Sequence, residues 1–144
     1  MAAFVQGYYT PKNTSKYMGD LTKIRYMSSW ELSLHMFLDN NPNVLRWASE
    51  PIGIPYIKPT DQLTHKYYPD YYVEYVDANG VMHKEIIEVK PHKQTINSRT
   101  RNRKNKLYED IQLAVNTAKW AAAQLFCKKN NLTFRLLTEK QMFG

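Results

Sequence analysis

Apolar residues recur at helical spacing in two stretches of the chain. In the first stretch the apolar positions are Trp30, Leu34, Phe37 and Leu38, and the pattern ends at the Asn-Asn-Pro sequence of residues 40–42. The second is longer, with apolar positions at Leu107, Ile111, Ala114, Val115, Ala118, Ala122, Leu125 and Phe126 before two asparagines end it. The sequence therefore predicts two helices, the second spanning about twenty residues.

Shorter stretches rich in β-branched and aromatic residues predict four strands, at residues 52–58, 67–76, 83–90 and 132–138. Pro55 favours an edge position for the first strand. Residues 77–80, Asp-Ala-Asn-Gly, predict a hairpin turn that pairs the second and third strands antiparallel. The last strand follows a helix, which favours parallel pairing. The order α, β, β, β, α, β predicts a mixed four-stranded sheet flanked by helices, in the α/β or α+β class.

Length and composition limit the structural classes to which the protein can belong. The 144 residues suit a single domain, with residues 1–22 as an irregular N-terminal arm that could pack on the body or reach for a ligand. No apolar stretch is long enough to span a bilayer, and the first residues lack the order of a secretory signal. The single cysteine, Cys127, excludes an intrachain disulfide or a cysteine-based zinc cluster.

The positive charge is concentrated in one segment. The net charge is +7, and residues 89–108 contain seven Lys or Arg but no Asp or Glu, whereas 13 basic residues balance 13 acidic ones elsewhere. Such an asymmetry favours a polyanionic partner such as DNA or RNA. By itself the segment fits a solvated basic loop equally well.

Three charged side chains are predicted to meet at one end of the sheet. The turn at residues 77–80 would bring Asp70 and Glu88 to the same end of adjacent strands, and Lys90 shares a face with Glu88. Two close carboxylates repel each other unless a cation lies between them, and oxygen ligands suit Mg²⁺ or Mn²⁺. Such an ion can polarise a phosphodiester and activate water, and a lysine can stabilise the charge that develops. The pattern indicates metal-dependent phosphodiester hydrolysis.

These residues stand in a recognisable sequence context. "YYPDYYVEYV", followed after a hairpin by "EIIEVKP", resembles the PD-(D/E)XK nuclease signature, with Asp70 in the first half and Glu88 and Lys90 in the second. The resemblance implies a restriction-endonuclease-like αβββαβ core. It also implies Asp70, Glu88, Lys90 and Glu31 as catalytic residues. The metal ligands would be Asp70, Glu88, Glu31 and the backbone carbonyl of Val89. Glu31 takes the position of an acidic residue on the first helix of TnsA-like transposon endonucleases.

A second resemblance extends over most of the chain. "MAAFVQGYY", "KIRYMSSWEL", "NVLRWASEPIGIPYIKPTD" and "EIIEVKPHKQT" are similar to the head completion nucleases of T-even-type bacteriophages. This resemblance implies exo- or endonuclease action on packaged double-stranded DNA during head completion and head-tail joining. It also implies contact with proteins of the head and portal vertex. The protein would then act in the host cytoplasm during assembly or be associated with the virion.

Within the basic segment, six side chains are the candidates for contacting the DNA backbone: Lys93, Arg99, Arg101, Arg103, Lys104 and Lys106. Lys119, on the polar side of the second helix, could also approach DNA, although a solvated helix surface is the better interpretation of that position. A different class of function stays open. The chain could be a non-catalytic assembly factor that keeps a nuclease-like fold and seals the portal vertex.

Each site residue also has a structural explanation. Ser28 and Glu31 have capping-box spacing, in which the glutamate reaches back to an amide at the helix start. Asp70 could merely begin a strand, and Glu88 with Lys90 could form a surface ion pair worth well under about 1 kcal/mol. Each of these explanations covers one feature, whereas a nuclease site accounts for all of them together.

Overall fold

The computed structural model describes residues 6–90 and 103–138. Within them lie eight strands: β1 (Gly7–Tyr8), β2 (Arg25–Tyr26), β3 (Val44–Ser49), β4 (Ile54–Ile57), β5 (Thr64–Tyr67), β6 (Tyr71–Val76), β7 (Met82–Val89) and β8 (Thr133–Leu137). The helices are α1 (Ser29–Asn40) and α2 (Arg103–Lys129), with a short 3₁₀ turn at Thr14–Lys16. No helix in these ranges is both long enough and apolar enough to cross a bilayer.

A mixed four-stranded sheet forms the centre of the fold, with strand order β3-β6-β7-β8. β6 and β7 pair antiparallel, joined by a turn in which Gly80 has a φ of +78°. β8 follows α2 and pairs parallel with β7. The predicted fold class, the hairpin and the parallel last strand are therefore confirmed.

The predicted first strand of the sheet is wrong. The strand that pairs with β6 is β3, whereas β4, which lies inside residues 52–58, pairs with β5 in a separate hairpin. β5 ends at Tyr67, so residues 67–76 are not one strand. β3 escaped sequence analysis because a register irregularity between Val44 and Arg46 disrupts the alternation of buried and exposed positions.

Both faces of the sheet are covered by apolar layers. On one face a cluster built around Trp47, Tyr71 and Val73 packs with Leu38 of α1. On the other face, Val115 and Ala123 of α2 pack with residues of the β4–β5 hairpin, including Tyr56 and Tyr67. Because side chains alternate along a strand, β7 contributes Ile87 and Val89 to the first layer, and its buried Ile86 belongs to the opposite face.

The described part of the N-terminal arm packs on the body of the protein. Asp39 is fully buried at the end of α1, and its carboxylate accepts hydrogen bonds from the Tyr9 hydroxyl at 2.6 Å and from the Lys12 amide at 2.7 Å. Farther along the arm, the Met18 amide donates to the Trp47 carbonyl of β3 at 2.8 Å. Of the two alternatives for this arm, packing on the body is the one observed.

Candidate active site

Asp70 lies where the chain enters β6, next to the end of β7. The register pairs Tyr71 with Ile87, so Asp70 comes level with Glu88. The Asp70 carboxylate accepts a hydrogen bond of 2.8 Å from the backbone amide of Val89. The buried Pro69 precedes it and restricts the chain at this point. The hairpin therefore brings Asp70 to the sequence that carries Glu88 and Lys90.

Glu88 is buried, and its carboxylate lies 3.6 Å from the Lys90 ammonium. Only 7% of the Glu88 side chain is exposed, against 29% for Lys90, so this is not the surface ion pair considered from the sequence. One carboxylate oxygen of Glu88, Oε1, is buried and has no hydrogen-bond partner among the described residues. Such an orphaned oxygen is costly unless a ligand satisfies it.

Burial and the neighbouring Glu88 carboxylate perturb the pKa of Asp70. Burial raises the pKa of Asp70 to about 8, and the negative charge of Glu88 adds to the increase. The Val89 amide opposes this shift because it stabilises the ionised form, and Glu31 contributes a weaker repulsion. Without a cation, Asp70 therefore holds a proton at neutral pH.

Glu31 lies at the other side of this site, in the first turn of α1. Its amide donates to the Ser28 hydroxyl oxygen at 3.2 Å, and its own carboxylate accepts from the Met27 amide at 2.6 Å. The helix-capping geometry expected as one alternative is thus present, shifted by one residue from the usual capping box. It engages one oxygen of Glu31 and leaves the second for another partner.

A cavity of about 210 Å³ connects Glu31 with the acidic end of the sheet. Its lining includes Glu31, Asp70, Val89 and Lys90. A larger cavity of about 550 Å³ lies between α1 and the sheet, but apolar side chains such as Phe37 dominate its lining, and none of Asp70, Glu88 and Lys90 reaches it. The smaller cavity therefore brings Glu31, Asp70 and Lys90 together, and Glu88 lies next to it through its contact with Lys90.

The donor set fits a hard divalent cation with an incomplete protein shell. No group of three or more His, Cys, Asp or Glu side chains within residues 6–90 and 103–138 is arranged to hold a metal. Two carboxylates remain, Asp70 and Glu88, and Oε1 of Glu88 is buried without a hydrogen-bond partner in the described residues. Mg²⁺ commonly binds through one or two carboxylates and completes its shell with water and phosphate oxygens.

Two further acidic residues on these strands, Glu74 and Glu85, have partners elsewhere. The Tyr72 hydroxyl donates to Glu74 at 2.7 Å, and the Tyr75 hydroxyl donates to Glu85 at 2.9 Å on the face opposite Glu88. His35, one turn after Glu31, is buried, and its Nδ1 lies 2.7 Å from the Tyr71 hydroxyl. It is a core residue beneath the site.

Half of the six predicted DNA-contacting residues lie within the described part of the chain. Lys93, Arg99 and Arg101 lie outside the described residues. Arg103 and Lys104 begin α2, and Lys106 forms an exposed pair with Asp110 at 3.2 Å one turn later.

Sequence reasoning undervalued Lys119 of α2 and Tyr67 of β5. Both lie at the site: burial lowers the pKa of Lys119, which Lys90 lowers further and Glu88 raises, and burial raises the pKa of Tyr67, to which the charge of Glu88 adds. A signal was available in the sequence. Lys119 falls midway between Val115 and Ala123 at four-residue steps, and both neighbours are buried.

Comparison with known proteins identifies the family of the chain. The family model described as TnsA-like endonuclease N terminal matches residues 41–139, which contain Asp70, Glu88 and Lys90. The chain is also 37% identical over 139 residues to the Head completion nuclease of Enterobacteria phage T4, covering 92% of this chain and 90% of that protein. No solved structure matches the chain. The chain belongs to the TnsA-like endonuclease family and is a relative of the phage T4 protein.

Proposed function

We propose that this protein is a metal-dependent DNA nuclease that hydrolyses phosphodiester bonds during phage head completion. The observation that carries the proposal is the buried pair Asp70 and Glu88 with the Lys90 ammonium 3.6 Å from Glu88. The family of the chain supports a nuclease, and the name of its T4 relative supports a role in head completion.

Asp70 and Glu88 would hold Mg²⁺ or Mn²⁺, with the second oxygen of Glu31 and the Val89 carbonyl as supporting ligands. When bound, such an ion polarises the phosphodiester and lowers the pKa of a coordinated water. The Val89 amide fixes the orientation of the Asp70 carboxylate through its 2.8 Å hydrogen bond. The same carboxylate needs to lose its proton before it can serve as a ligand.

Lys90 supplies the positive charge on the substrate side. Its ammonium shares a strand face with Glu88 and lines the cavity with Asp70 and Glu31. From there it would donate hydrogen bonds to the attacking water or to a phosphate oxygen that gains charge in the transition state. In a simple surface ion pair both partners are exposed, whereas Glu88, the partner of Lys90, is buried.

DNA would be held mainly through its backbone. We assign this role to Lys93, Arg99, Arg101, Arg103, Lys104 and Lys106, which carry the charge excess of the chain. Contacts of this kind bind double-stranded DNA without reading its sequence. Proteins of the head and portal vertex would bring the nuclease to packaged DNA.

The test is cleavage of DNA by purified protein with Mg²⁺, Mn²⁺ or EDTA. A closed circular plasmid reports internal cleavage, and an end-labelled linear duplex reports trimming from the ends. We expect cleavage that needs the metal and that falls at least ~100-fold in Asp70→Asn and in Lys90→Met. Lys84→Met, at an exposed position of the same strand, is the matched control and should cut at the rate of the unmodified protein. Equal rates for all four proteins would overturn the site.

Calorimetric titration with Mg²⁺ separates this proposal from a non-catalytic factor that seals the portal vertex. A nuclease binds the ion at Asp70 and Glu88, and Asp70→Asn weakens that binding. A sealing factor has no reason to bind Mg²⁺ at these carboxylates.

A further inference from the structure

Lys119 occupies a position where α2 otherwise buries apolar side chains. Val115, Ala123 and Cys127 lie at four-residue steps along the same row of the helix, and all three are buried. The Lys119 ammonium lies 5.9 Å from the centre of the Tyr56 ring and 5.8 Å from that of Tyr67. Two aromatic faces therefore hold the cation in place and restrict its side chain.

The charges around Lys119 are mainly of its own sign. Burial lowers its pKa, and the nearby ammonium groups of Lys90 and Lys58 lower it further, against a smaller opposite effect of Glu88. Among the ion pairs of the described residues, Glu88 pairs with Lys90, and no carboxylate lies within ion-pair distance of Lys119. Two further lysines thus lie near Lys119, with Glu88 as the carboxylate that acts on it, and a bound anion would balance the positive charge.

Two buried polar atoms point to the same region. The Tyr67 hydroxyl and Glu88 Oε1 are both buried without a well-formed hydrogen bond within the described part of the chain, and both residues are more than nine-tenths buried. Burial raises the pKa of Tyr67, and Glu88 adds to the increase through its charge and as a hydrogen-bond acceptor, so the two groups lie side by side. The Tyr67 ring supports Lys119 and thus joins the acidic pair to the lysine. A bound oxyanion would give the Lys119 ammonium a counter-charge.

We propose that Lys119, supported by Tyr56 and Tyr67 and flanked by Lys58, binds a backbone phosphate of DNA next to the phosphate that is cut. This subsite rests on the proposed nuclease function for the identity of its ligand. It lies on the α2 side of Glu88, whereas the cavity with Glu31 lies on the α1 side. Its role is to hold the strand in register with the acidic pair, and we assign it no part in the chemical step.

The experiment measures binding rather than cleavage. Each of the substitutions Lys119→Met, Lys119→Arg and Lys128→Met is added to the Asp70→Asn protein. A fluorescent DNA duplex is titrated with each of these proteins, and with Asp70→Asn alone, at several salt concentrations. Methionine keeps an apolar chain against both tyrosines, arginine keeps the charge, and Lys128 is an exposed lysine near the end of the same helix. Circular dichroism and thermal melting confirm that each variant is folded.

Loss of one phosphate contact should lower the slope of log affinity against log salt by ~0.9 in Lys119→Met. Arginine should restore the slope, and Lys128→Met should leave it unchanged. Equal slopes for Lys119→Met and Lys128→Met would overturn the subsite. Since no cleavage is needed, that outcome is distinct from failure of the nuclease proposal, in which the unmodified protein leaves plasmid and linear duplex intact.

Discussion

The Tyr71 hydroxyl donates a hydrogen bond of 2.7 Å to Nδ1 of the buried His35, directly beneath the acidic site. The direction is fixed by the other ring nitrogen. Nε2 lies 3.0 Å from the Arg25 carbonyl, which can only accept, so Nε2 carries the proton. Burial lowers the pKa of His35 and keeps the ring neutral. Tyr71 follows Asp70 in the chain and His35 follows Glu31 by one turn, so this bond joins the two elements that carry the site.

We expect Tyr71→Phe to destabilise the protein by ~1–3 kcal/mol because it leaves Nδ1 of His35 buried without a donor. Urea unfolding gives the free energy of unfolding. Tyr72→Phe is the matched control, since its hydroxyl bonds only the half-buried Glu74, and we expect a loss below ~1 kcal/mol. Similar losses in the two variants would contradict the importance of the His35 contact.

The raised pKa of Asp70 predicts how the stability of the protein depends on pH. Its carboxyl has a pKa of about 8 in the folded protein and an ordinary value near 3.8 when unfolded, so the folded state binds more protons between these limits. The metal-free protein should therefore lose stability as the pH rises from about 4 to about 8, by up to about 1 kcal/mol for each pH unit.

Asp70→Asn removes this effect and keeps an oxygen that can accept from the Val89 amide. In EDTA at pH 9 it should unfold at higher urea than the unmodified protein, and the difference should shrink as the pH is lowered towards 4. Asp77→Asn is the opposite control, because hydrogen bonding to His83 lowers the pKa of Asp77 and no gain is expected there. A destabilised Asp70→Asn protein at pH 9 would show that the carboxylate charge does not strain the fold.

Glu31 can be tested for metal binding without removing the helix cap. Glu31→Gln keeps an oxygen for the Met27 amide but loses the charge, so we expect the free energy of unfolding to change by less than ~0.5 kcal/mol. Affinity for Mn²⁺, measured by calorimetry, should fall by ~10-fold or more. Glu109→Gln, at an exposed position of α2, serves as the control. Unchanged Mn²⁺ affinity would leave Glu31 with the capping role alone.

The basic segment should act through charge rather than base contacts. Replacing Lys93, Arg99 or Arg101 by Ala should lower the salt slope of DNA affinity by ~0.9 for each residue, equally for unrelated duplex sequences. Lys23→Ala removes a lysine that is 80% exposed elsewhere on the protein and should have no such effect. A slope that changed for one DNA sequence only would indicate base recognition.

The sequence predicted the hairpin that carries Asp70 and Glu88, because strand alternation and the turn at residues 77–80 are local signals. It did not reveal β3, where an irregular register hides the alternation, and it joined β5 to β6 across Pro69. Lys119 was undervalued for a related reason. Its polar side chain was taken for the solvated side of the helix, whereas it lies against Tyr56 and Tyr67 of the β4–β5 hairpin, in one row with the buried Val115 and Ala123.

The hydrogen bond from the Met18 amide to the Trp47 carbonyl bears on the self-association of the protein in solution. β3 is an outer strand of the sheet, and the arm occupies part of its free hydrogen-bonding edge through the Met18 amide and a bridge between Tyr17 and Trp47. Exposed strand edges invite pairing with another chain. A chain shortened to begin after residue 22 would uncover this edge and would also remove the groups that donate to the buried Asp39, so self-association should appear as a larger species in light scattering.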